Sequence, residues 1–313
     1  MFDPRRRHFL AMAGAGIALS AGPIGADTQP RPEGGIGGTG IVGILTDFGS
    51  IVLNGMRVET PSGLRPTNAF GQVTLNSLGI GQSLTVEARA INGRLMARRI
   101  HIAHPVIGPV HDIDGNRARV AGVPVVLEPG VVGGWEPGMV AAISGVWRGQ
   151  TVVASRIARA RTSLVVIAGE VVARTRQTIV IGGRTIDTGR FMAPYPGRFV
   201  TVIGEDRGPD IRARELTVGR FTGAAGRLRR LSVDGFLEPQ AEAPFYAVSG
   251  LGHSFAPDLR LESFASERTL FDGAYNGLFE ARTGIALPQS LALRRQINRD
   301  LLSGVGPERV AIR

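Results

Sequence analysis

The sequence predicts an all-β protein built from tandem small five-stranded units, barrels or sandwiches, with one C-terminal α-helix. Three observations carry this. Glycine makes up 44 of 313 residues and aromatic residues only 6%, which suits short strands and tight turns over long helices. Glycine-containing turn pairs such as Asn54-Gly55, Asn92-Gly93 and Gly182-Gly183 recur between short apolar runs. Third, the chain aligns with itself: with Gly81, Gly138 and Gly197 superposed, twenty positions match without a gap.

The chain opens on Arg5, Arg6 and Arg7, followed by a weakly apolar stretch from Phe9 to Ala21 and then small residues. Charged start, short apolar middle and small end are the parts of a signal peptide. The stretch is shorter than the ~20 residues a spanning helix needs. Arg6-Arg7-His8-Phe9-Leu10 resembles the core of the twin-arginine export motif, with Arg5 where serine or threonine is usual and Ala11 where lysine is common. Residues 1–26 are thus read as a signal, cleaved after Ala21 or Ala26, and the protein as periplasmic or otherwise exported. No other stretch is apolar and long enough to span a membrane.

Residues 27–40 form a linker, proline-rich at Pro30 and Pro32 and therefore extended. Its end, Gly35-Ile36-Gly37-Gly38-Thr39-Gly40, matches the dinucleotide-binding glycine pattern. That pattern works only between a strand and a helix. Here a proline linker precedes it and a strand-like run follows, so it reads as a flexible loop leading into the first strand.

Unit 1 spans residues 41–107, unit 2 residues 108–163 and unit 3 residues 164–220. Each begins with an opening strand (Val42–Thr46, Gly108–Ile113, Val165–Ala173). A hairpin follows, turning at Asn54-Gly55, Ala121-Gly122 or Gly182-Gly183. Then come two strands after the aligned glycine. Leu84, Val86 and Ala88, with their counterparts Ala141, Ile143, Gly145 and Val200, Val202, Gly204, alternate and so share one strand face. On the second strand the apolar parity changes after Ala97, Ala154 and Ala213, which predicts a bulge or a strand end there. Five strands per unit suit a barrel resembling the oligonucleotide/oligosaccharide-binding type.

Residues 221–313 read as a degenerate fourth unit plus the helix. Leu231-Ser232-Val233 leads to Asp234-Gly235, read as a turn, and Tyr246 to Gly250 resembles Val140 to Gly145. Further strands are expected around Asp272-Gly273 and Asn276-Gly277. Pro288 opens a helix from Gln289 to Leu302, closed by Gly304. Leu293, Ile297 and Leu301 give it one apolar face, expected to dock on the last unit alone. Deletion of residues 221–313 should then leave 27–220 folded.

The glycine run before the first strand, Phe48-Gly49-Ser50-Ile51, Asn54-Gly55 and Val58-Glu59, together with the recurring hairpin and apolar-Gly pattern, resembles the exported bacterial family called domain of unknown function 5666. The likeness covers residues 36–220 well and 221–280 poorly. It implies exported β-rich modules and supplies no catalytic residue or ligand.

The chemistry is sparse. There is no cysteine, so disulfides, thiolate metal sites and cysteine nucleophiles are excluded. His101, His104 and His111 lie close in sequence and are the only histidine group with metal-ligand character. Positions 101 and 104 point apart on a continuing strand, so they read as residues of an inter-unit linker. Gly252-His253-Ser254 cannot form a Ser–His pair, because adjacent strand residues point to opposite faces. Glu87, Glu128, Glu136, Glu170 and Glu205 sit near turns or strand ends with nothing in the sequence to pair them. No cofactor is implied.

All 36 basic residues are arginine. Removing the signal leaves 33 arginines against 25 acids, a net charge of +8. Arg117 with Arg119, and Arg174 with Arg176, stand two apart and so on one strand face. With Trp135 and Tyr195 they are the candidate ligand-binding residues, for an anionic envelope polymer, a lipid or a protein. Export and few aromatics argue against nucleic acid. The expected function is a non-catalytic cell-envelope binding or scaffold protein. The alternative is a periplasmic metal-handling protein or hydrolase using the C-terminal unit or the His101–His111 segment.

Overall fold

The computed structural model describes residues 37–239, 246–251, 264 and 266–312. The signal segment, most of the linker and Gly252-His253-Ser254 lie outside the described residues.

Unit 1 contains β1 (Gly38–Ile44), β2 (Ile51–Leu53), β3 (Met56–Glu59), the small strands β4 (Thr67–Asn68) and β5 (Gly71–Gln72), β6 (Ser83–Ile91) and β7 (Arg94–Ile102). Unit 2 contains β8 (Val106–Asp114), β9 (Arg117–Val120), β10 (Val123–Val132), β11 (Val140–Arg148) and β12 (Thr151–Arg159). It closes on itself in the order β8-β9-β10-β12-β11-β8, with β10 and β12 parallel and every other pair antiparallel. This circuit, first-second-third-fifth-fourth-first, is a five-stranded Greek-key barrel, which decides the choice between barrel and sandwich. Unit 1 repeats it through β1, β2, β3, β7 and β6, with an Asp47–Val52 bridge carrying β1 onto β2.

Unit 3 contains β13 (Val165–Glu170), β14 (Ala173–Arg174), β15 (Thr178–Ile181), β16 (Arg184–Asp187), β17 (Phe199–Asp206) and β18 (Asp210–Val218). Here β13 and β14 together fill the first-strand position, pairing β17 and β15 respectively, and β16 runs parallel to β18.

Local chemistry sets these shapes. Asn54, Gly55, Asn92, Gly93, Ala121, Gly122, Gly182 and Gly183 all have positive φ, the geometry of two-residue hairpin turns. The predicted parity change is a β-bulge at one place in each unit. Between the fourth and fifth strands the register skips Arg98, Ser155 and Arg214. At this bulge the backbones approach closely: a Cβ on Gly145 would lie 2.2 Å from the Val153 carbonyl oxygen, and one on Gly204 would lie 2.4 Å from that of Arg212.

The fourth unit contains β19 (Leu228–Pro239), β20 (Tyr246–Val248), β21 (Arg268–Tyr275), β22 (Phe279–Ala286), α1 (Leu291–Leu302) and β23 (Val310–Ala311). It corrects several expectations. Asp234-Gly235 is no turn; β19 runs straight through it because Asp234 is held by an ion pair within the sheet. Tyr246–Val248 pairs β19 in the second-strand position and is not the counterpart of Val140–Gly145. That counterpart is β21, whose register against β22 breaks between Asp272 and Gly273. The turn lies at Asn276–Leu278, on the Asn276-Gly277 pair singled out from the sequence. The glycine run before unit 1 is not all loop either: Gly38–Gly40 begin β1, and no helix follows.

The units are welded together. β1 pairs β19 in parallel from Gly38 to Val42, and a Cβ on Gly40 would sit 2.5 Å from Leu231 Cδ2. β8 pairs β13 through Ile107 and Val106, and the buried side chains of units 2 and 3 form one continuous cluster. Trp147 closes that junction. It is 5% exposed and donates its Nε1–H to the Ala168 carbonyl at 2.9 Å.

Helix α1 docks on more than the last unit. Ile297 and Leu301 pack against Leu270, Ile285 and Leu287 as expected, but Leu293 is 57% exposed. The most buried face carries Leu291, Arg294 and Asn298. Asn298 accepts from the Gly55 amide, and Arg295 donates to the Thr46 carbonyl, both in unit 1. Arg294 reaches Glu128 of unit 2. No described helix is long and apolar enough to cross a membrane.

Candidate functional site

Strand alternation also fixes what the barrels show to one another. Leu84 and Val86 point into barrel 1, so Thr85 and Glu87 point out; Val200 and Val202 point into barrel 3, so Phe199, Thr201 and Ile203 point out. The two outer faces meet across a cleft of about 180 Å³. Arg99 and His101 of β7 enter from unit 1, and Glu215 and Thr217 of β18 from unit 3. The connectors between units, at His104 and Arg220, complete the lining.

The polar groups of the cleft are differently satisfied. Glu87 does not line the cleft but is fully buried beside it, accepting from the Thr222 amide at 2.6 Å, the Thr222 hydroxyl at 2.9 Å and the Ala225 amide at 3.1 Å. Arg99 lies 3.8 Å from it. Arg220 has no carboxylate partner among the described residues. Its guanidinium lies 4.0 Å from the centroid of the Phe199 ring and donates to the Gly250 carbonyl, with a longer contact of 3.4 Å to the Thr85 hydroxyl. Its Nε is buried without a partner. Burial pulls Arg220 down to about 10.

The two histidines divide the same way. His101 Nδ1 sits 2.9 Å from the Thr67 hydroxyl, whereas His104 Nδ1 is buried without a hydrogen-bond partner. Burial lowers both to about 4, with Arg99, His104 and Arg220 adding to the effect at His101. Free imidazoles titrate near 6.5. Between those values the unfolded chain binds more protons, so stability held above pH 6.5 is lost as the pH falls towards 4. Acidifying from pH 7 to pH 5 is expected to lower stability by roughly 1–2 kcal/mol per imidazole. Urea midpoints at the two pH values measure it, and a His101→Gln, His104→Gln variant should show the flatter profile. A parent as flat as the variant would show that the imidazoles are not held neutral.

The sequence-predicted residues are not gathered here. His111 is exposed on β8, opposite Arg119, away from the cleft that His101 and His104 share. Among the described residues no group of three or more His, Asp or Glu side chains is placed to hold a metal ion. Arg117 and Arg119 are exposed on β9, and Arg119 donates to the Gly122 carbonyl at 2.8 Å. Arg174 lies 3.9 Å from the centroid of Tyr195, itself 68% exposed. Arg176 is exposed in the turn beyond β14. Trp135 is half-buried against the shared core of units 2 and 3. Of the six, the structure joins only Arg174 and Tyr195.

Sequence reasoning missed two things. The carboxylates read as unpaired are largely partnered: Glu87 by Arg99, Glu136 by Arg159, Glu205 by Arg214. Glu128 belongs to a buried quartet. Arg268 donates Nε and one terminal nitrogen to the two oxygens of Asp234, both at 2.8 Å, and its other terminal nitrogen to Glu128 at 2.7 Å; Arg294 donates to the second Glu128 oxygen. Second, Arg220 carried no signal beyond its position at the end of unit 3.

No known family model matches this chain, and neither a curated protein nor a solved structure does.

Proposed function

We propose that this chain is an exported, non-catalytic binding protein of the cell envelope whose ligand enters the cleft between barrels 1 and 3. The cleft carries the reading: polar side chains from two barrels and two connectors converge on a partly open cleft with one apolar wall, a form suited to a small ligand. The surrounding barrels are welded by strand pairing and buried ion pairs, which keeps such a site preformed. The likeness of the repeats to domain of unknown function 5666, and the Arg6-Arg7-x-Phe9-Leu10 motif, support the export half of the proposal.

Each half has its own test. Replacing Arg6 and Arg7 by lysine should block export by the twin-arginine route while leaving folding intact. Unchanged periplasmic yield, with general secretion inhibited, would remove that route. Thr201 projects into the cleft from β17, so Thr201→Trp should fill it. The parent should melt higher in the presence of periplasmic small-molecule extract, and the filled variant should not. An equal response from both would place binding elsewhere.

A further inference from the structure

We infer that the cleft between barrels 1 and 3 takes a small organic monoanion, a carboxylate on a compact apolar body, with Arg220 as the residue that holds its charge. The inference rests on the reading of this cleft as a binding site and adds the chemical class of the ligand.

Arg220 is the starting point. An enclosed guanidinium ordinarily has a carboxylate beside it, because desolvating a lone charge is costly. The chain supplies such partners freely elsewhere: Arg268, Arg294, Arg184 and Arg212 each lie against an acid. Arg220 instead rests on the Phe199 ring and on a backbone carbonyl. An aromatic face offsets only part of a desolvated cation's cost. The buried Nε, with no partner, is a donor left for something that enters the cleft. Arg184 and Arg294 also keep an unpartnered Nε, so what sets Arg220 apart is the missing acid, and a carboxylate would supply it by charge-assisted hydrogen bonds.

The remaining walls narrow the class. Arg99 already has Glu87, and Glu215 stands exposed at the rim, where water and salt screen it. The two imidazoles are neutral at pH 7, held so by burial. Among the described residues Arg220 is therefore the one unneutralised charge facing the inner part of the cleft, which matches a monoanion better than a dianion such as phosphate. His104 Nδ1, also without a partner, offers a second polar contact. Val166, Ala168, Phe199 and Ile203 provide an apolar wall for the body of the ligand. A cleft of about 180 Å³ has room for about ten non-hydrogen atoms.

Benzoate is a suitable probe, with benzamide as its uncharged isostere and inorganic phosphate as the competing oxyanion. Titration calorimetry on the mature full chain at low salt should show benzoate binding one to one and benzamide at least tenfold weaker. Phosphate should be weaker than benzoate. Arg220→Met should weaken benzoate at least tenfold and leave benzamide unchanged. Arg220→Lys, which keeps the charge without the planar fork, should fall between and guards against a variant that does not fold. Equal binding of benzoate and benzamide, unchanged benzoate affinity in Arg220→Met, no benzoate binding, or phosphate binding more tightly than benzoate would each overturn the inference. If it fails while Thr201→Trp still abolishes the response to periplasmic extract, the binding-site reading survives. If Thr201→Trp also changes nothing, both fall together.

Discussion

Glu128→Ala is expected to lower the free energy of unfolding by about 3–5 kcal/mol, read as a drop in urea midpoint with little change in slope. Glu128 is 4% exposed and receives hydrogen bonds from both Arg268 and Arg294, which are 0% and 1% exposed. Two arginines and two carboxylates are balanced in the native quartet. Removing Glu128 leaves two buried guanidinium groups to share Asp234. Exposed pairs such as Arg159–Glu136 set the contrast, since a surface ion pair contributes about 0–1 kcal/mol. If Glu128→Ala and Glu136→Ala cost the same, the quartet is not what joins unit 2 to the C-terminal region.

Deleting residues 221–313 should have an effect at least as large. The deletion removes Asp234, Arg268 and Arg294, and with them the ion-pair partners of Glu128. It strips the parallel partner from β1, exposing a strand edge that invites pairing with other chains. It also removes Asn298 and Arg295 from the Gly55 and Thr46 backbone groups of unit 1. For a remainder of nearly 200 residues, a loss of about 3–5 kcal/mol corresponds to a melting point lower by roughly 6–20 °C. Residues 27–220 with the melting behaviour of the full mature chain would show that the welds contribute little. Modularity read from repeats suggested that outcome; the contacts between units argue against it.

The contrast shows what a sequence can carry. Hairpin turns were legible because Asn-Gly and Gly-Gly tolerate positive φ and few other pairs do. The bulge after Ala97, Ala154 and Ala213 was legible because an extra residue reverses strand parity. Barrel order was not, since alternation says which face is inside and nothing about which strand lies beside which. In the fourth unit, Asp234-Gly235 has the letters of a turn. Its strand conformation follows from Arg268, 34 residues later, and local pattern does not register a partner at that distance. The helix shows the same limit. Periodicity selected Leu293, Ile297 and Leu301, but the buried face includes Arg294 and Asn298, polar residues whose partners lie in other units. The cleft was half legible: alternation places Thr85, Glu87 and Thr201 outside their barrels, while the meeting of the two outer faces depends on how the barrels pack.

The pairing of β1 with β19 also governs the order in which the molecule can be finished. These strands are about 190 residues apart in sequence, so the loop between them must close before their contacts form, and closure over such a span slows folding. During synthesis, β2 through β18 emerge with β1 able to pair β6 but still lacking β19 on its other edge. The first barrel can close on its own strands before then, but the edge of β1 from Gly38 to Val42 stays unpaired until the fourth unit has been made.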